Sequence, residues 1–119
     1  MILVVEDDIA TRDSLCLLFE CEGIDCRGFA SAEAFLAADP PLDGSCLIFD
    51  VHMTGMTGLE LLERLRAGGA RTPAIIITGQ PSPAILKRAE ASGAAVLEKP
   101  FHSGMLIDRV RTLLDGAVA

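Results

Sequence analysis

The chain has 119 residues, of which 50% are hydrophobic and only 4% are aromatic, and its formal net charge is −7. This length corresponds to one domain, and the composition predicts a core of aliphatic side chains. Because affinity for nucleic acids comes from clustered Lys and Arg, the acidic charge argues against DNA or RNA binding by this chain itself.

The predicted secondary structure alternates strands and helices along the whole chain. Short aliphatic runs predict the strands, and apolar residues at helical spacing predict the helices. In chain order the predicted elements are a strand at 2–5, a helix at 9–22, a strand at 24–29, a helix at 32–38, a strand at 46–49, a helix at 58–67, a strand at 73–77, a helix at 83–92, a strand at 94–97 and a helix at 105–114.

Several helix boundaries carry recognisable signals. Ser31 is a predicted N-cap, and Ser82 is an N-cap followed by proline at the first helical position. Thr57 and Glu60 have the spacing of a capping box. Glycine at 23 follows the first helix, as expected at a helix end. These signals mark boundaries of four of the five predicted helices.

The alternation of elements predicts the fold class. Five buried strands separated by five helices require parallel pairing, because each helix is the crossover between two strands. The expected fold is α/β, a doubly wound (βα)5 sheet of the flavodoxin-like kind with strand order 2-1-3-4-5, which is the usual order for a domain of this size.

Polar residues that could bind a ligand or take part in a reaction follow the ends of four predicted strands. Glu6 and Asp7 follow the first strand, Asp50 the third, Thr78 the fourth and Lys99 the fifth. In a doubly wound sheet the ligand crevice lies outside the carboxyl ends of the strands. The sequence therefore predicts that these five residues converge on one crevice.

The convergence of three carboxylates predicts a divalent cation, since the acids would otherwise repel one another. Mg²⁺ suits the site because it binds carboxylates and phosphate oxygens while retaining waters. Asp7 is the predicted direct ligand, with Asp50 beside it, Glu6 acting through water and the backbone carbonyl of His52 completing the set. The His52 side chain is not required for coordination.

The same arrangement is typical of phosphoryl transfer to a carboxylate. Asp50 is the predicted nucleophile, which would give an aspartyl phosphate. Lys99 offers a positive charge for one phosphoryl oxygen, and the hydroxyl group of Thr78 can donate to another. Taken singly, Thr78 could be an ordinary strand residue and Lys99 a surface lysine, and Asp8 is more readily explained as a helix N-cap than as a ligand.

Four segments carry a resemblance to a known family: ILVVEDD at 2–8, LIFDVHMTGMTGLEL at 47–61, IIITG at 75–79 and EKPF at 98–101. All four resemble segments of response-regulator receiver domains. The segments at 47–61 and 98–101 resemble the FixJ branch of transcriptional regulators most. The resemblance implies phosphorylation of Asp50 by a sensor histidine kinase with Mg²⁺, with Thr78 and Lys99 as switch residues. It also implies a change of partner, or homodimer formation, on phosphorylation.

The resemblance also predicts how the chain is organised. Residues 1–119 would form one receiver domain, and any DNA contact would come through a separate helix-turn-helix output domain that lies outside this chain. Because no apolar run reaches the roughly 20 residues of a membrane helix, we expect a cytoplasmic protein with no membrane partner.

Two residues depart from the family pattern. Thr54 stands where receivers usually have proline, which should loosen the loop after the third strand. Val96 stands where many receivers have the Tyr or Phe that turns inward on activation.

Two other functions compete with the receiver hypothesis. A metal-dependent phosphatase with an aspartate nucleophile typically has a second aspartate two residues later, where this chain has His52. A degenerate receiver that only binds partners would not need the full set of Asp50, Thr78 and Lys99.

The four cysteines have no spacing that points to a metal or redox motif. Cys16, Cys21, Cys26 and Cys46 form no Cys-x-x-Cys pair and have no histidine clustered with them. We expect these thiols to be buried and reduced.

Overall fold

A computed structural model describes the backbone of residues 1–118 and the side chains of residues 1–115. The chain alternates five strands and five helices. They are β1 Ile2–Val5, α1 Ile9–Cys21, β2 Cys26–Phe29, α2 Ala32–Ala38, β3 Cys46–Asp50, α3 Gly58–Ala67, β4 Ala74–Thr78, α4 Pro83–Ala91, β5 Ala95–Glu98 and α5 Ser103–Val118.

The strands form one parallel sheet in the order β2-β1-β3-β4-β5. The predicted fold class and strand order are therefore confirmed. In register, Asp50 of β3 lies beside Ile77 of β4, and Thr78 lies beside Glu98 of β5. The candidate site residues thus follow or occupy the carboxyl ends of adjacent strands.

The core consists of two layers because alternate strand residues point to opposite faces of the sheet. One face packs against α2, α3 and α4, and the other against α1 and α5. Phe29, Phe35 and Phe49 form two edge-to-face pairs in the first layer, with ring centroids 5.1 and 5.5 Å apart. Aliphatic side chains fill most of the remaining core, as the composition predicts.

Side chains cap four helices as the sequence indicates. Asp8, Ser31, Thr57 and Ser82 each accept a hydrogen bond from a backbone N–H of the first turn that follows. The capping box of Thr57 and Glu60 is complete, because each side chain accepts from the other residue's backbone N–H. Asp8 is therefore a helix cap, as expected.

The approach of α3 to β3 leaves no room for a side chain at Gly58. A Cβ atom placed there would lie 2.2 Å from the backbone oxygen of Asp50. Glycine is therefore required at this point by close backbone contact. The contact fixes the start of α3 directly against the residue that ends β3.

Two predictions about the strands were wrong. The second strand begins at Cys26 and not at residue 24, and it is not buried, since Arg27 and Gly28 are exposed. The reason is its position at the sheet edge, where β2 pairs with β1 alone. The fifth strand is the other edge and is also only partly buried.

Smaller differences occur at element ends and at the thiols. The last helix begins at Ser103 rather than at residue 105. Cys46 is buried, but Cys16 and Cys26 are half-buried and Cys21 is exposed, so burial of all four thiols was wrong. Within the part of the chain that the structure describes, no helix is long and apolar enough to span a membrane.

Candidate functional site

The predicted site residues do come together at the carboxyl edge of the sheet. Glu6, Asp7, Asp50, His52 and Lys99 line one cleft of about 610 Å³. The buried Thr78 adjoins the cleft at the end of β4. The topology explains the convergence, because β1, β3, β4 and β5 are consecutive neighbours in the sheet.

Asp50 is held through both of its carboxylate oxygens. It is only 6% exposed, at the end of β3. Its Oδ1 accepts a hydrogen bond of 2.9 Å from the backbone N–H of His52, and its Oδ2 accepts one of 2.6 Å from Nζ of Lys99. The carboxylate therefore has a fixed orientation towards the cleft.

Lys99 is the cation nearest to the acids. Its Nζ lies 2.6 Å from Asp50 Oδ2 and 3.9 Å from Glu6 Oε1. Its backbone N–H donates to the carbonyl oxygen of Thr78 over 2.9 Å, which ties the start of the β5–α5 connection to the end of β4. Burial lowers the pKa of Lys99, but the hydrogen bond and charge of Asp50 outweigh it, so the pKa is raised. The ammonium group therefore stays charged.

Glu6 is the least satisfied group of the site. It is 5% exposed, and among the described residues its Oε2 is buried without a hydrogen-bond partner. Burial and, after it, the neighbouring Asp50 carboxylate raise the pKa of Glu6 to about 7, although the charge of Lys99 opposes them. Ionised Glu6 lacks a full set of compensating contacts, which is costly for a buried carboxylate.

The His52 side chain makes a contact that the sequence did not predict. Its Nε2 lies 3.0 Å from Oγ1 of Thr78, and the same Oγ1 accepts a 3.1 Å hydrogen bond from the backbone N–H of Gln80. The imidazole thus contacts the predicted switch threonine across the cleft. A histidine two residues after a strand-end aspartate was visible in the sequence, but its contact depends on a side-chain conformation that the sequence does not specify.

The loop after β3 is held by two carboxylates. The backbone N–H of Thr54 lies 3.5 Å from Oδ2 of Asp7, and that of Met56 donates to Oε1 of Glu33 over 3.1 Å. Proline at position 54 would supply no N–H, so the first contact depends on the threonine. The expected loosening of this loop remains a prediction.

The acidic cleft fits a hard divalent cation by its donor type. Among the described residues, no three His, Cys, Asp or Glu side chains are close enough together to form a ready-made metal site. The available donors are nevertheless carboxylate oxygens, which Mg²⁺ prefers, and Glu6 Oε2 is buried and unpartnered. Ion binding at this point would satisfy that atom, whereas the Lys99 ammonium satisfies mainly Asp50.

The fold and site together define a class of signalling domain. A doubly wound five-stranded sheet places an acidic pair, an aspartate, a threonine and a lysine at the ends of four neighbouring strands. The model of the response regulator receiver domain matches residues 2–111. The chain belongs to that family.

Relatives within the family include both short and long proteins. The transcriptional regulatory protein FixJ of Azorhizobium caulinodans is 44% identical over 112 residues, which are 93% of this chain and 53% of the relative. The structure of full-length FixJ from B. japonicum matches with a TM-score of 0.87 and 38% identity, over 98% of this chain and 58% of that one. The structure of the chemotaxis protein CheY4 of Vibrio cholerae matches with a TM-score of 0.83 and 27% identity, over 94% of this chain and 96% of that one. The chain thus spans about half the length of the FixJ relatives.

Proposed function

We propose that this chain is a phosphorylation-operated switch that accepts a phosphoryl group on Asp50 from a sensor histidine kinase. The chain is a receiver domain similar to that of FixJ, and receivers are generally switches rather than catalysts. The observation that carries the proposal is the Asp50 carboxylate at the cleft, held between the Lys99 ammonium and the backbone N–H of His52.

Asp50 is the best nucleophile among the acids of the cleft. With a pKa of about 7 in the metal-free chain, Glu6 is protonated in roughly half of the molecules at neutral pH, and a protonated carboxyl is a poor nucleophile. Asp8 is engaged as a helix cap, with Oδ2 accepting from both N and Oγ1 of Thr11. Asp50 alone combines burial, fixed orientation and an adjacent cation.

Glu6, Asp7, Asp50 and the backbone carbonyl of His52 would hold Mg²⁺. Receivers of this family typically use that ion, and when bound it neutralises charge on the phosphoryl oxygens. The chain's own contribution is positional. Lys99 can follow the added charge because its side chain is 38% exposed and has room to move, although its backbone is fixed to β4.

Thr78 is the proposed switch residue because it can exchange one set of partners for another. Its hydroxyl group contacts His52 and Gln80 in this structure. A phosphoryl group on Asp50 adds up to about two negative charges and strong acceptor oxygens, which favour a hydroxyl donor. Movement of Thr78 towards Asp50 would break the contact with His52 and displace residues 79–82.

The complete protein is proposed to be a cytoplasmic transcription regulator. This rests on the match to FixJ, of which the chain covers about half. DNA contact would then come from a separate output domain, and phosphorylation would favour a homodimer or a new partner. The net charge of −7 is consistent with a receiver that does not contact DNA itself.

Phosphorylation with a small phosphodonor tests the proposal directly. The chain is incubated with Mg²⁺ and acetyl phosphate, and intact mass should rise by about 80 Da for one phosphoryl group. Asp50→Asn should abolish the gain, whereas Asp43→Asn, an exposed control before β3, should not. Undiminished phosphorylation of Asp50→Asn would overturn the assignment, and omission of Mg²⁺ should reduce the yield.

A further inference from the structure

Two thiols from different elements meet on the flank of the domain away from the cleft. Cys16 lies on α1 and Cys26 begins the edge strand β2. Their Sγ atoms are 2.6 Å apart, and neither residue is fully buried. This separation is shorter than ordinary contact between two sulfur atoms and approaches the S–S bond length of about 2.05 Å.

The backbone packing of α1 on β2 brings these sulfurs together. The α1–β2 connection is short, and the backbone N–H of Ile24 donates to the carbonyl oxygen of Phe19 over 2.9 Å. At Gly28 an added Cβ would lie 2.8 Å from Cγ of Arg12 and 3.6 Å from Sγ of Cys16. The helix therefore lies directly against the strand, and Cys16 projects onto its surface.

We propose that Cys16 and Cys26 form a reversible intramolecular disulfide when the protein meets hydrogen peroxide. One thiol reduces the peroxide to water and becomes a sulfenic acid. The second sulfur then attacks the sulfenic sulfur, the S–O bond breaks and water leaves, so that two thiols and one peroxide give one disulfide and two waters. A small dithiol reverses the reaction by thiol–disulfide exchange.

The environment of the two sulfurs favours this pair over the other cysteines. Burial raises the pKa of the Cys26 thiol, with the Cys16 sulfur raising it further, which makes Cys26 a poor initial nucleophile. Burial also raises the pKa of Cys46, to about 12, and this cysteine is fully buried in β3. Cys21 is exposed on α1 and is the natural competitor for intermolecular oxidation.

Peptide mapping identifies the bond without any variant. The reduced full chain is treated with hydrogen peroxide, alkylated, denatured and digested with a protease that cleaves after glutamate. Cleavage after Glu20 and Glu22 separates Cys16, Cys21 and Cys26 into different peptides. We expect a loss of about 2 Da in the intact protein, and a linked pair made of peptides 7–20 and 23–33 that dithiothreitol separates.

Thermal unfolding of the same samples tests whether the bond suits the native fold. The oxidised chain should melt roughly 5 to 10 °C higher than the reduced chain, because the cross-link restricts the unfolded state. Cys16→Ser should lose both the linked peptides and the rise in Tm, whereas Cys21→Ser should retain both. Linkage through Cys21, oxidation that stops at sulfinic acid, or an unchanged Tm in the linked chain would overturn the proposal.

Discussion

The interior of the sheet and its carboxyl edge obey opposite rules. In β3 and β4 every residue is buried, and aromatic and aliphatic side chains pack on both faces. At the carboxyl edge a buried Glu6 atom lacks a partner among the described residues, and two acids, Glu6 and Asp50, share one lysine. Poorly satisfied groups cost stability on their own and gain partners when a charged ligand binds, so the carboxyl edge has the pattern expected of a binding site and not that of a core.

The largest expected effect is a loss of stability from a substitution at Gly58, where α3 contacts the end of β3 between the sheet interior and its carboxyl edge. In Gly58→Ala the new methyl group would overlap the backbone oxygen of Asp50, so β3 and α3 must separate. We expect a loss of about 3 kcal/mol or more in the free energy of unfolding, measured by urea denaturation. Gly104→Ala is the control, because a Cβ there meets open space on α5 and should stabilise by up to about 1 kcal/mol. If Gly58→Ala were as stable as the wild type, the contact between α3 and the end of β3 would not be tightly packed.

A smaller effect is expected from the titration of Glu6 in the metal-free chain. Its folded-state pKa of about 7 lies above the ordinary value of 4.5, so the folded state favours the protonated form. Stability is fully present below pH 4.5 and is lost as pH rises through 7, by about 2 to 3 kcal/mol. Urea midpoints measured with chelator between pH 4.5 and 8 should therefore decrease, after allowance for the titration of other groups.

Variants isolate the contribution of Glu6 to that slope. Glu6→Gln should flatten the pH dependence and be more stable than the wild type at pH 8, because it removes the ionisable group while keeping its size. Glu90→Gln, at an exposed position on α4, should retain the wild-type slope. A Glu6→Gln variant with an unchanged slope would show that the edge is not strained at this residue.

The next largest expected effect is a difference in Mg²⁺ affinity between variants of two adjacent acids, Asp7 and Asp8. We expect Asp7→Asn to weaken Mg²⁺ binding by about tenfold or more, because it removes a proposed direct ligand. Asp8→Asn should change the affinity little, since Asp8 caps α1 through Thr11 and asparagine caps nearly as well. Titration of Mg²⁺ into each variant measures both affinities. Equal losses would mean that the two roles are misassigned.

The smallest structural effect is expected at Val96, which is half-buried against the α2–α4 layer. Valine is too short and too stiff at χ1 to exchange a buried for an exposed position, so the switch should depend on Thr78. On addition of beryllofluoride, Val96→Ala should show nearly wild-type amide shift changes away from the site, and Thr78→Ala should lose most of them. The reverse result would place the coupling in β5 and not at the end of β4.

The fold was predictable from the sequence because its local signals agree with one another. Aliphatic runs, caps and glycines predicted all ten elements, and alternation of strands and helices predicted parallel pairing. The errors in the strands fall mainly at the edge strand β2, which has one neighbour and in which only Phe29 is buried. A strand of this kind has few apolar constraints, so its start could not be located from composition.

The sequence predicted which residues meet at the site, but it did not predict the contacts that their side chains make. Strand ends of a parallel sheet must meet, which brought Glu6 and Asp50 together with Lys99. The hydrogen bond of His52 to Thr78 depends on a side-chain conformation. The meeting of Cys16 with Cys26 depends on how closely α1 crosses β2, and residues ten positions apart form no recognised motif.

The two loops above the cleft differ in how closely they are packed. Residues 51–57 are anchored at their far end by the close contact of Gly58 with the oxygen of Asp50, and in the middle by Glu33. Residues 79–82 begin at an exposed Gly79, where an added Cβ would approach Lys99 no closer than 3.9 Å. When a charge is placed on Asp50, we therefore expect residues 79–82 to move more easily than residues 51–57. We expect displacement to pass along residues 79–82 into α4, and we expect the face formed by α4 and β5 to change shape when Asp50 is phosphorylated.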